Sequence, residues 1–442
     1  MPLIRLLTGG FLLLLSLPHF AQAPSYSLDA AIDYAYDNSL TVRNAQLQLI
    51  DAEAQIEERL STGLPQVNGT ASYQYFFKVP LLPLPDAFAA SIPPGQEVPD
   101  GIAFQLRNNF SAGVALNQMV FDGSFFVGVR AAKTYRNFVQ EDLQAKKQEA
   151  RYQVIQAYLP ALQVDETLKT IAKNLTTLGR LRDETRALYE AGFVEQLDVD
   201  RLSLTIANLE TERDNLQQQM GVVKNALKLA MGYPVNEPIE LAEDMASLTL
   251  ANAETLLTEA VDYRKRAAYR VAAVGEDLGQ LNIEQFRAQY LPSLFASASY
   301  QQAFQGDNFS DGFWFPTGVV GLDLRVPIFD GFRKRAQIDR AEVQLETSRN
   351  QRKDFERLID FEVENARTNY RTATRRVTSQ ESNLALAQRI YDTTQIKYRE
   401  GVGSSLELVQ AEQSLFDSQA NLIQAQLDQL NAAYGLRQAL GL

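Results

Sequence analysis

Two long stretches of the chain carry apolar residues at alternating steps of three and four positions. The longer stripes run from Val154 to Tyr189 and from Val363 to Tyr398, and a shorter stripe follows each, from Val199 to Leu227 and from Leu408 to Ala425. This spacing places apolar side chains along one seam of an α-helix, as in a coiled coil. Because a glycine-containing turn separates the members of each pair, the pattern predicts two long helical hairpins.

The first of these helices is expected to be unusually long. At about 1.5 Å per residue, a helix from near Ser124 to Leu188 would reach roughly 95 Å, far more than a compact domain needs. Pro160 lies near its middle and should bend it, because proline removes one backbone hydrogen bond and crowds the preceding turn. Helices of this length indicate a bundle or a tube.

Four shorter segments alternate apolar and polar residues, which is the period of a β-strand. They are expected over about 66–78, 108–121, 292–304 and 313–328. In the last segment, Asp323 and Arg325 lie on the polar face, which would face the lumen of a membrane barrel. Each segment has about the length that a tilted strand needs to cross a bilayer. Four strands cannot close a barrel, and an open edge in lipid leaves backbone groups unpaired, so other copies of the chain must complete it.

The chain is an internal duplication. Leu188–Gly192 recurs as Lys397–Gly401, 209 residues later, and Val120–Gly123 recurs as Ile328–Gly331. Further upstream the offset grows, because the first copy contains a proline-rich insertion at 80–101. Such a segment cannot continue a strand or a helix, so it predicts a long surface loop.

The first 23 residues predict a secretory signal peptide. Arg5 precedes an apolar run, Phe11–Leu17, that is too short to span a bilayer as a helix, and Ala21–Ala23 provides a small-x-small cleavage pattern. No later stretch reaches the roughly 18 apolar residues of a transmembrane helix, so an exported chain of this kind is periplasmic, secreted or a membrane β-barrel.

The predicted domains are a signal peptide at 1–23, a first repeat at 24–245 with its helical hairpin at about 124–231, and a second repeat at 246–442 with its hairpin at about 332–440.

The composition excludes several kinds of chemistry. The chain contains no cysteine, and its only histidine, His19, lies in the predicted signal peptide. The mature chain would therefore lack disulfides, thiolate metal ligands and the commonest general base. It would keep 41 basic and 54 acidic residues, and this net charge of −13 argues against nucleic acid as a partner. We predict no enzymatic activity, no cofactor and no metal site.

The order of the elements resembles that of the TolC family of outer-membrane efflux proteins over nearly all of the mature chain. The motifs that carry the resemblance are tyrosine-x-x-glycine turns at Tyr189 and Tyr398, leucine-proline strand entries at Leu64 and Leu291, and Phe-Asp-Gly strand exits at Phe121 and Phe329. The resemblance implies an α+β membrane protein that forms a homotrimer. Four strands from each chain would make a 12-stranded transmembrane β-barrel, which stands on a long α-helical coiled-coil barrel that crosses the periplasm.

The same resemblance places a periplasmic gate and the contact with an adaptor protein at the tips of the hairpins. Tyr398 and Gly401 match the family's second turn, and Glu407 matches an acidic ring position at the pore axis. The next acidic ring position is Gln410 here. The basic residue that latches some family members is replaced by Gly403, which also lies at the tip. The chain thus departs from the family pattern at two positions.

In the first turn, the matching acid is Asp198, which the resemblance places near the tyrosine hydroxyl, with Arg201 one turn beyond it. Gly192 and Gly401 are expected to be left-handed turn residues that shape the tips gripped by the adaptor. Three symmetry-related Glu407 carboxylates would repel each other and attract cations at a narrow axis. Alternatively, Glu407 and Asp198 are solvated acids near a helix start, where the macrodipole favours them.

The expected function is that of a passive exit duct of a tripartite efflux pump in the outer membrane of a Gram-negative cell. Its expected partners are a periplasmic adaptor, an inner-membrane pump and outer-membrane lipid. An outer-membrane channel of a type I protein secretion system is the alternative. The heptad seams would also suit a structural or adhesive coiled-coil surface protein, but the four alternating segments oppose this. A hydrolase is disfavoured, because no nucleophile motif or glycine-rich phosphate loop stands out.

Overall fold

The computed structural model describes residues 24–83, 101–103, 105–248 and 253–442. The predicted signal peptide and most of the proline-rich insertion lie outside these residues. The N-terminal elements are β1 (Ser25–Tyr26), α1 (Leu28–Asn38) and α2 (Leu40–Ser61). Ser27 caps α1, because its Oγ accepts a hydrogen bond from the backbone N–H of Ala30 at 3.2 Å.

The rest of the first repeat contains the first strand pair and the first long hairpin. Its elements are β2 (Gln66–Tyr75), β3 (Leu81–Leu82), β4 (Ile102–Ala103), β5 (Asn108–Asp122), α3 (Gly123–Glu190) and α4 (Gln196–Met231). The helix α3 has 68 residues and continues without a break through Pro160. At about 1.5 Å per residue, it is roughly 100 Å long.

The second repeat repeats this order. After β6 (Glu240–Leu241), which ends the first repeat, its elements are α5 (Ala253–Leu256), a 3₁₀ turn (Tyr263–Lys265), α6 (Ala267–Ala288), β7 (Ser293–Gly306), β8 (Phe313–Arg325), α7 (Arg333–Arg399) and α8 (Ser405–Leu440). Each long helix packs against the shorter helix that follows it, and both hairpins begin and end within a few residues of the predicted bounds. The ends of the long helices, and both ends of the shorter helices that follow them, are 209 residues apart in the two copies, as the repeat in the sequence requires.

Two strands are shorter than predicted. The strand β2 ends at Tyr75 rather than near residue 78, and β8 ends at Arg325 rather than near residue 328. The last residue pair between β7 and β8 is Ser293 with Arg325. Beyond it, Pro292 and Pro327 have no N–H group to donate to the ladder, so the pairing stops there.

The four predicted strands form one antiparallel sheet in the order β2-β5-β7-β8. The pairing of β5 with β7 joins the two repeats, and a bulge between Met119 and Phe121 interrupts its register. The strands β2 and β8 pair on one side only, so both edges of the sheet present unpaired backbone groups. Large apolar residues on these edge strands, such as Val67 and Val320, are exposed in the single chain.

The largest apolar cluster lies around the middle of the long helices. It joins α1 to the middle of α3 and to the C-terminal parts of α4 and α8. The strand β1 pairs in parallel with β6, and the hydroxyl of the fully buried Tyr158 donates a hydrogen bond to the Tyr26 carbonyl at 2.9 Å. Glu243 accepts a hydrogen bond from the backbone N–H of Leu28 at 2.8 Å. The segment between the repeats therefore holds the N-terminus against the helices as well as linking the two copies.

No helix within the described ranges is both long and apolar enough to cross a membrane.

The Tyr158 hydroxyl generates a prediction about this cluster. We expect Tyr158→Phe to lower the free energy of unfolding by about 1 kcal/mol, because it removes one of the two hydrogen bonds to the Tyr26 carbonyl, which keeps only the bond from the backbone N–H of Ala242 at 3.0 Å. Tyr135→Phe is the control, since Tyr135 is exposed and stacks on Phe138. Thermal unfolding of the detergent-extracted protein checks this, and equal midpoints for the two variants would contradict it.

Candidate functional site

The two hairpin turns have the same backbone conformation. Gly192 and Gly401 have φ angles of +81° and +72°, and no atom lies within 4 Å of a Cβ placed on either. The left-handed conformation, rather than lack of space, is therefore the reason for glycine at both positions. The backbone N–H of Phe193 donates to the Leu188 carbonyl at 2.9 Å, and that of Val402 donates to the Lys397 carbonyl at 3.0 Å. The two turns are thus closed in equivalent ways.

Close to these turns, the two hairpins of the chain pack against each other. The residues that do so form an apolar group, here called the tip cluster, with members on all four long helices. Its buried members are Leu178, Leu181, Leu202, Ile206, Ala387, Tyr391, Tyr398, Leu408, Ala411 and Leu415. The tip cluster makes the ends of the two hairpins one packed unit.

Two polar contacts connect the hairpins at the rim of the tip cluster. Arg201 Nη1 donates a hydrogen bond to the Oγ of the buried Ser405 at 2.6 Å, which joins α4 to α8. Arg399 forms a salt bridge with Glu184 at 2.9 Å, which joins α7 to α3. Arg201 was predicted at this site, whereas the Arg399–Glu184 pair was not. Both partners of that pair are exposed charges 215 residues apart, and no local pattern relates them.

The family resemblance suggested that Asp198 lies near the tyrosine hydroxyl, but Asp198 does not form a hydrogen bond with the Tyr398 hydroxyl. Its Oδ2 instead accepts a hydrogen bond from the backbone N–H of Glu195 at 3.2 Å, and the Glu195 side chain accepts from the N–H of Asp198. This reciprocal arrangement is a capping box that begins α4. Arg201 lies 3.8 Å from the Asp198 carboxylate. Asp198 therefore serves the start of α4, as in the alternative interpretation made from the sequence.

The Tyr398 hydroxyl is buried in the tip cluster without a hydrogen bond to any described residue, and so is the Thr185 hydroxyl. Burial raises the pKa of Tyr398; the nearby Thr185 hydroxyl lowers it, and the Asp198 carboxylate raises it further. The two hydroxyls are thus close together but do not form a hydrogen bond of normal geometry. Buried polar groups without partners weaken the packing that contains them.

Glu407 and Gln410 point away from the tip cluster. Both are exposed and lie three positions apart on α8, so they share a face, whereas Leu408 between them is buried. The Oγ of Ser404 accepts a hydrogen bond from the backbone N–H of Glu407 at 3.2 Å and caps α8. The Glu407 carboxylate makes no salt bridge within the described part of the chain. Its place in the first turn also suits the macrodipole of α8.

Gly403 is closely surrounded by backbone. A Cβ at this position would lie 3.1 Å from both the Cβ of Lys397 and the backbone nitrogen of Tyr398. The N–H of Gly403 also donates to the Lys397 carbonyl at 3.1 Å. A side chain here would need the neighbouring backbone to give by a few tenths of an ångström, so the tightness of this turn favours glycine.

Glu412 is a functional candidate that the sequence interpretation missed. It is 1% exposed, and its Oε2 has no hydrogen-bond partner among the described residues. Burial alone raises its pKa to about 8. Its charge contributes to the raised pKa of Tyr391, which places the two side chains close together. The spacing could have revealed it, because Glu412 lies four residues after Leu408 and three before Leu415, on the apolar face.

Asp323 and Arg325 lie on the same face of β8 and form a salt bridge at 2.8 Å. Both side chains are more than half exposed. Leu322 and Leu324 lie on the opposite face, so the predicted alternation of polar and apolar residues holds along this strand. None of the described residues forms a cluster of acidic side chains or histidines that could hold a metal ion.

The burial of Glu412 generates a prediction about pH. Since the carboxyl is protonated in the fold up to about pH 8 but ionises near pH 4.5 when unfolded, stability should fall as the pH rises through this interval. One such group lowers the free energy of unfolding by up to about 1.4 kcal/mol per pH unit. Glu412→Gln should remove this dependence and raise the unfolding midpoint at pH 7, whereas Glu407→Gln should not. Parallel pH profiles for all three proteins, measured by thermal unfolding, would contradict the prediction.

Comparisons with known proteins agree with this architecture. The family model described as "Outer membrane efflux protein" matches residues 99–233 and 264–442, which is more than half of the chain. The chain is 26% identical over 353 residues to the outer membrane efflux protein BepC of Brucella suis, covering 77% of this chain and 74% of BepC. It is 25% identical over 347 residues to the alkaline protease secretion protein AprF of Pseudomonas aeruginosa, covering 75% and 69% of the two chains.

Solved structures show the same fold. A crystal structure of CusC superposes with a TM-score of 0.71 at 20% identity, covering 95% of this chain and 92% of CusC. The fold is therefore TolC-like, with one four-stranded sheet and two long helical hairpins in each chain. The matching family model, the relatives and the fold together show that the chain belongs to the outer membrane efflux protein family.

Proposed function

We propose that the protein is the passive outer-membrane exit duct of a tripartite efflux pump and that it works as a homotrimer. The observation that carries the proposal is the open sheet, in which the edge strands β2 and β8 each have one side without a partner among the described residues. In lipid, each unpaired backbone group costs several kcal/mol, so these edges need partners. Pairing β8 of one copy with β2 of the next, three times, would close a 12-stranded barrel.

In this assembly, the polar face of β8 would line the lumen, with Asp323 and Arg325 as a neutral ion pair near the end of the barrel next to the helices. The long helices of three copies would continue the duct through the periplasm. No step of this function requires a reaction, a cofactor or a metal. The duct would lower the barrier for a solute by enclosing water, and the energy for export would come from a pump in the inner membrane.

We assign the constriction of the duct to the exposed face of α8 that carries Glu407 and Gln410. Both point away from the tip cluster, so they are free to face a common axis of three copies. A ring of three carboxylates would favour cations over anions, and the neutral Gln410 ring would add no further charge. Arg201–Ser405 and Arg399–Glu184 would hold each pair of hairpins together while the entrance is narrow.

The apolar tips are the proposed docking surface for a periplasmic adaptor. Phe193 and Val402 follow the two turn glycines at equivalent positions and are 79% and 77% exposed. Neither belongs to the tip cluster, so neither stabilises the packing of the chain itself. Three copies would present six such apolar tips in a ring, which suits a partner with repeated apolar grooves.

A channel for protein secretion is the second candidate. AprF, a relative of similar identity to BepC, is described as an alkaline protease secretion protein. The same duct could serve either system, because passage through a water-filled tube requires no binding pocket for the exported molecule in this chain. The choice between them would then rest with the pump and the adaptor.

The proposed constriction generates a prediction for single-channel recordings. We expect Glu407→Gln to reduce the preference for K⁺ over Cl⁻ severalfold in planar bilayers, because it removes three carboxylates from the narrowest part. Asp417→Asn removes an exposed acid of the same helix and should leave the selectivity unchanged. A selectivity that Glu407→Gln and Asp417→Asn affect equally would remove Glu407 from the constriction but would leave the duct in place.

The proposed docking surface generates a prediction for cells. Phe193→Ser combined with Val402→Ser should increase dye retention severalfold in cells that depend on this duct, because an apolar contact with the adaptor is lost. The conductance of the purified protein should not change. Val222→Ser, at another exposed apolar position, is the control. Normal dye export by the double variant would contradict the assignment of the docking surface.

A further inference from the structure

The apolar face of β8 continues beyond the last paired residue of the sheet. Val320, Leu322 and Leu324 are exposed on one face of the strand. The period of two continues through Val326 to Ile328, which is 93% exposed. This region leads into the start of α7, and residues 326–335 are called the junction below.

Two phenylalanines extend the apolar surface of the junction. Phe329 and Phe332 are 76% and 66% exposed, and their rings meet edge to face at 5.4 Å. Exposed rings at the end of a lipid-facing strand are typical of the interface between hydrocarbon and headgroups. Among the described residues, Phe329 is the only aromatic ring that packs against Phe332.

The backbone of Phe332 is in an unfavourable conformation. Its φ angle is +64°, and among the described residues it is the only one besides glycine with a positive φ. Gly331 before it has a φ of +66°. A bulky residue in the left-handed region is strained, and such strain is retained where another interaction compensates for it. Inside the described part of the chain, the one aromatic contact that offsets this strain is the edge-to-face contact with the Phe329 ring, which is itself exposed.

The first repeat lacks this feature although its sequence is similar. Phe121, Asp122 and Gly123 match Phe329, Asp330 and Gly331, but Ser124 stands where the second repeat has Phe332. There the Asp122 carboxylate accepts a hydrogen bond from the N–H of Ser124 at 2.8 Å and starts α3 in the regular way. The strained aromatic junction is therefore specific to the second repeat and is not required to begin a long helix.

Basic residues follow the two rings directly. Lys334 is buried, forms a salt bridge with Asp330 at 3.0 Å and lies 5.0 Å from the centre of the Tyr290 ring. Arg333 and Arg335, on either side, are exposed, and their side chains form no salt bridge or hydrogen bond with the described residues. Arg333 does contribute to the low pKa of Asp330, whose carboxylate is already bound by Lys334. Two guanidinium groups thus remain available beside an exposed apolar surface.

We propose that the junction binds anionic phospholipid of the membrane leaflet that faces the helices, with phosphatidylglycerol as the model ligand. The rings of Phe329 and Phe332 lie at the level of the ester groups, and Arg333 and Arg335 donate hydrogen bonds to the phosphate. Guanidinium groups suit phosphate because they present several donors in one plane, and basic residues at a membrane surface favour anionic lipids. The proposal rests on the outer-membrane location of the family and on the proposed barrel, but not on the gate.

Lipid retention in native mass spectrometry tests the headgroup contact. The purified protein is exchanged into mixed detergent containing equal amounts of phosphatidylglycerol and phosphatidylcholine. Wild type should retain phosphatidylglycerol preferentially, and Arg333→Gln with Arg335→Gln should lower the preference by about fivefold for each arginine removed. Arg371→Gln with Arg375→Gln is the matched control, because these exposed arginines of α7 lie about 54 Å further along the helix. An equal loss in both pairs, or no loss in either, would overturn the proposal.

Phe332 is tested by two further changes. Phe332→Gly relieves the backbone strain, so the unfolding midpoint in lipid-free detergent should stay equal or rise, while retention of phosphatidylglycerol falls. A lower midpoint in lipid-free detergent would assign the ring to internal packing and contradict the proposal.

Replacing Phe332 by photoreactive benzoylphenylalanine in membranes should give adducts to phospholipid. Adducts to a second copy of the chain would show that the junction is an interface between copies instead. Since none of these readouts involves conductance, a failure here is distinguishable from a failure of the proposed duct.

Discussion

The pairing of backbone groups at the edges of the four-stranded sheet is the constraint on which the proposed assembly depends. Within one chain, β5 and β7 are paired on both sides, whereas β2 and β8 are paired on one side only. A membrane offers no hydrogen bonds to these edges, so they need the edges of other copies. The arrangement of the long helices follows from the duplication, because each strand pair leads directly into a long helix at its end. Closing the sheet would therefore also gather the helices into a tube.

The tip cluster combines stable packing with groups that oppose it. Apolar residues from all four long helices are buried there, and Arg201 and Arg399 connect the hairpins at the rim. The same region buries a carboxyl at Glu412 and the hydroxyls of Tyr398 and Thr185 without hydrogen-bond partners. An ionised Glu412 carboxylate is more stable in water than in the closed packing. Separation of the hairpins would expose it to water and so remove part of the free-energy cost of burying it. This balance suits the proposed entrance, whose hairpins would separate when partners dock.

The sequence predicted the long elements well because their spacing repeats over many turns. The bounds of both hairpins and the equivalence of Gly192 and Gly401 followed from heptads and from a repeat of 209 residues. The strand ends were less accurate, since they depend on which residue lies opposite. At the tips, Arg201 was found but the role of Asp198 in the capping box was not. The burial of Glu412 and the left-handed Phe332 depend on how helices and strands meet in three dimensions, which a single stretch of sequence does not contain.

The mass of the detergent-extracted, folded protein tests closure of the sheet by other copies most directly. Native mass spectrometry or light scattering corrected for detergent measures it, and the same preparation is examined for pores in planar bilayers. We expect a particle of three chains that forms discrete channels. A folded monomer, with its β2 and β8 edges unpaired and no pore activity, would contradict closure of the sheet by other copies.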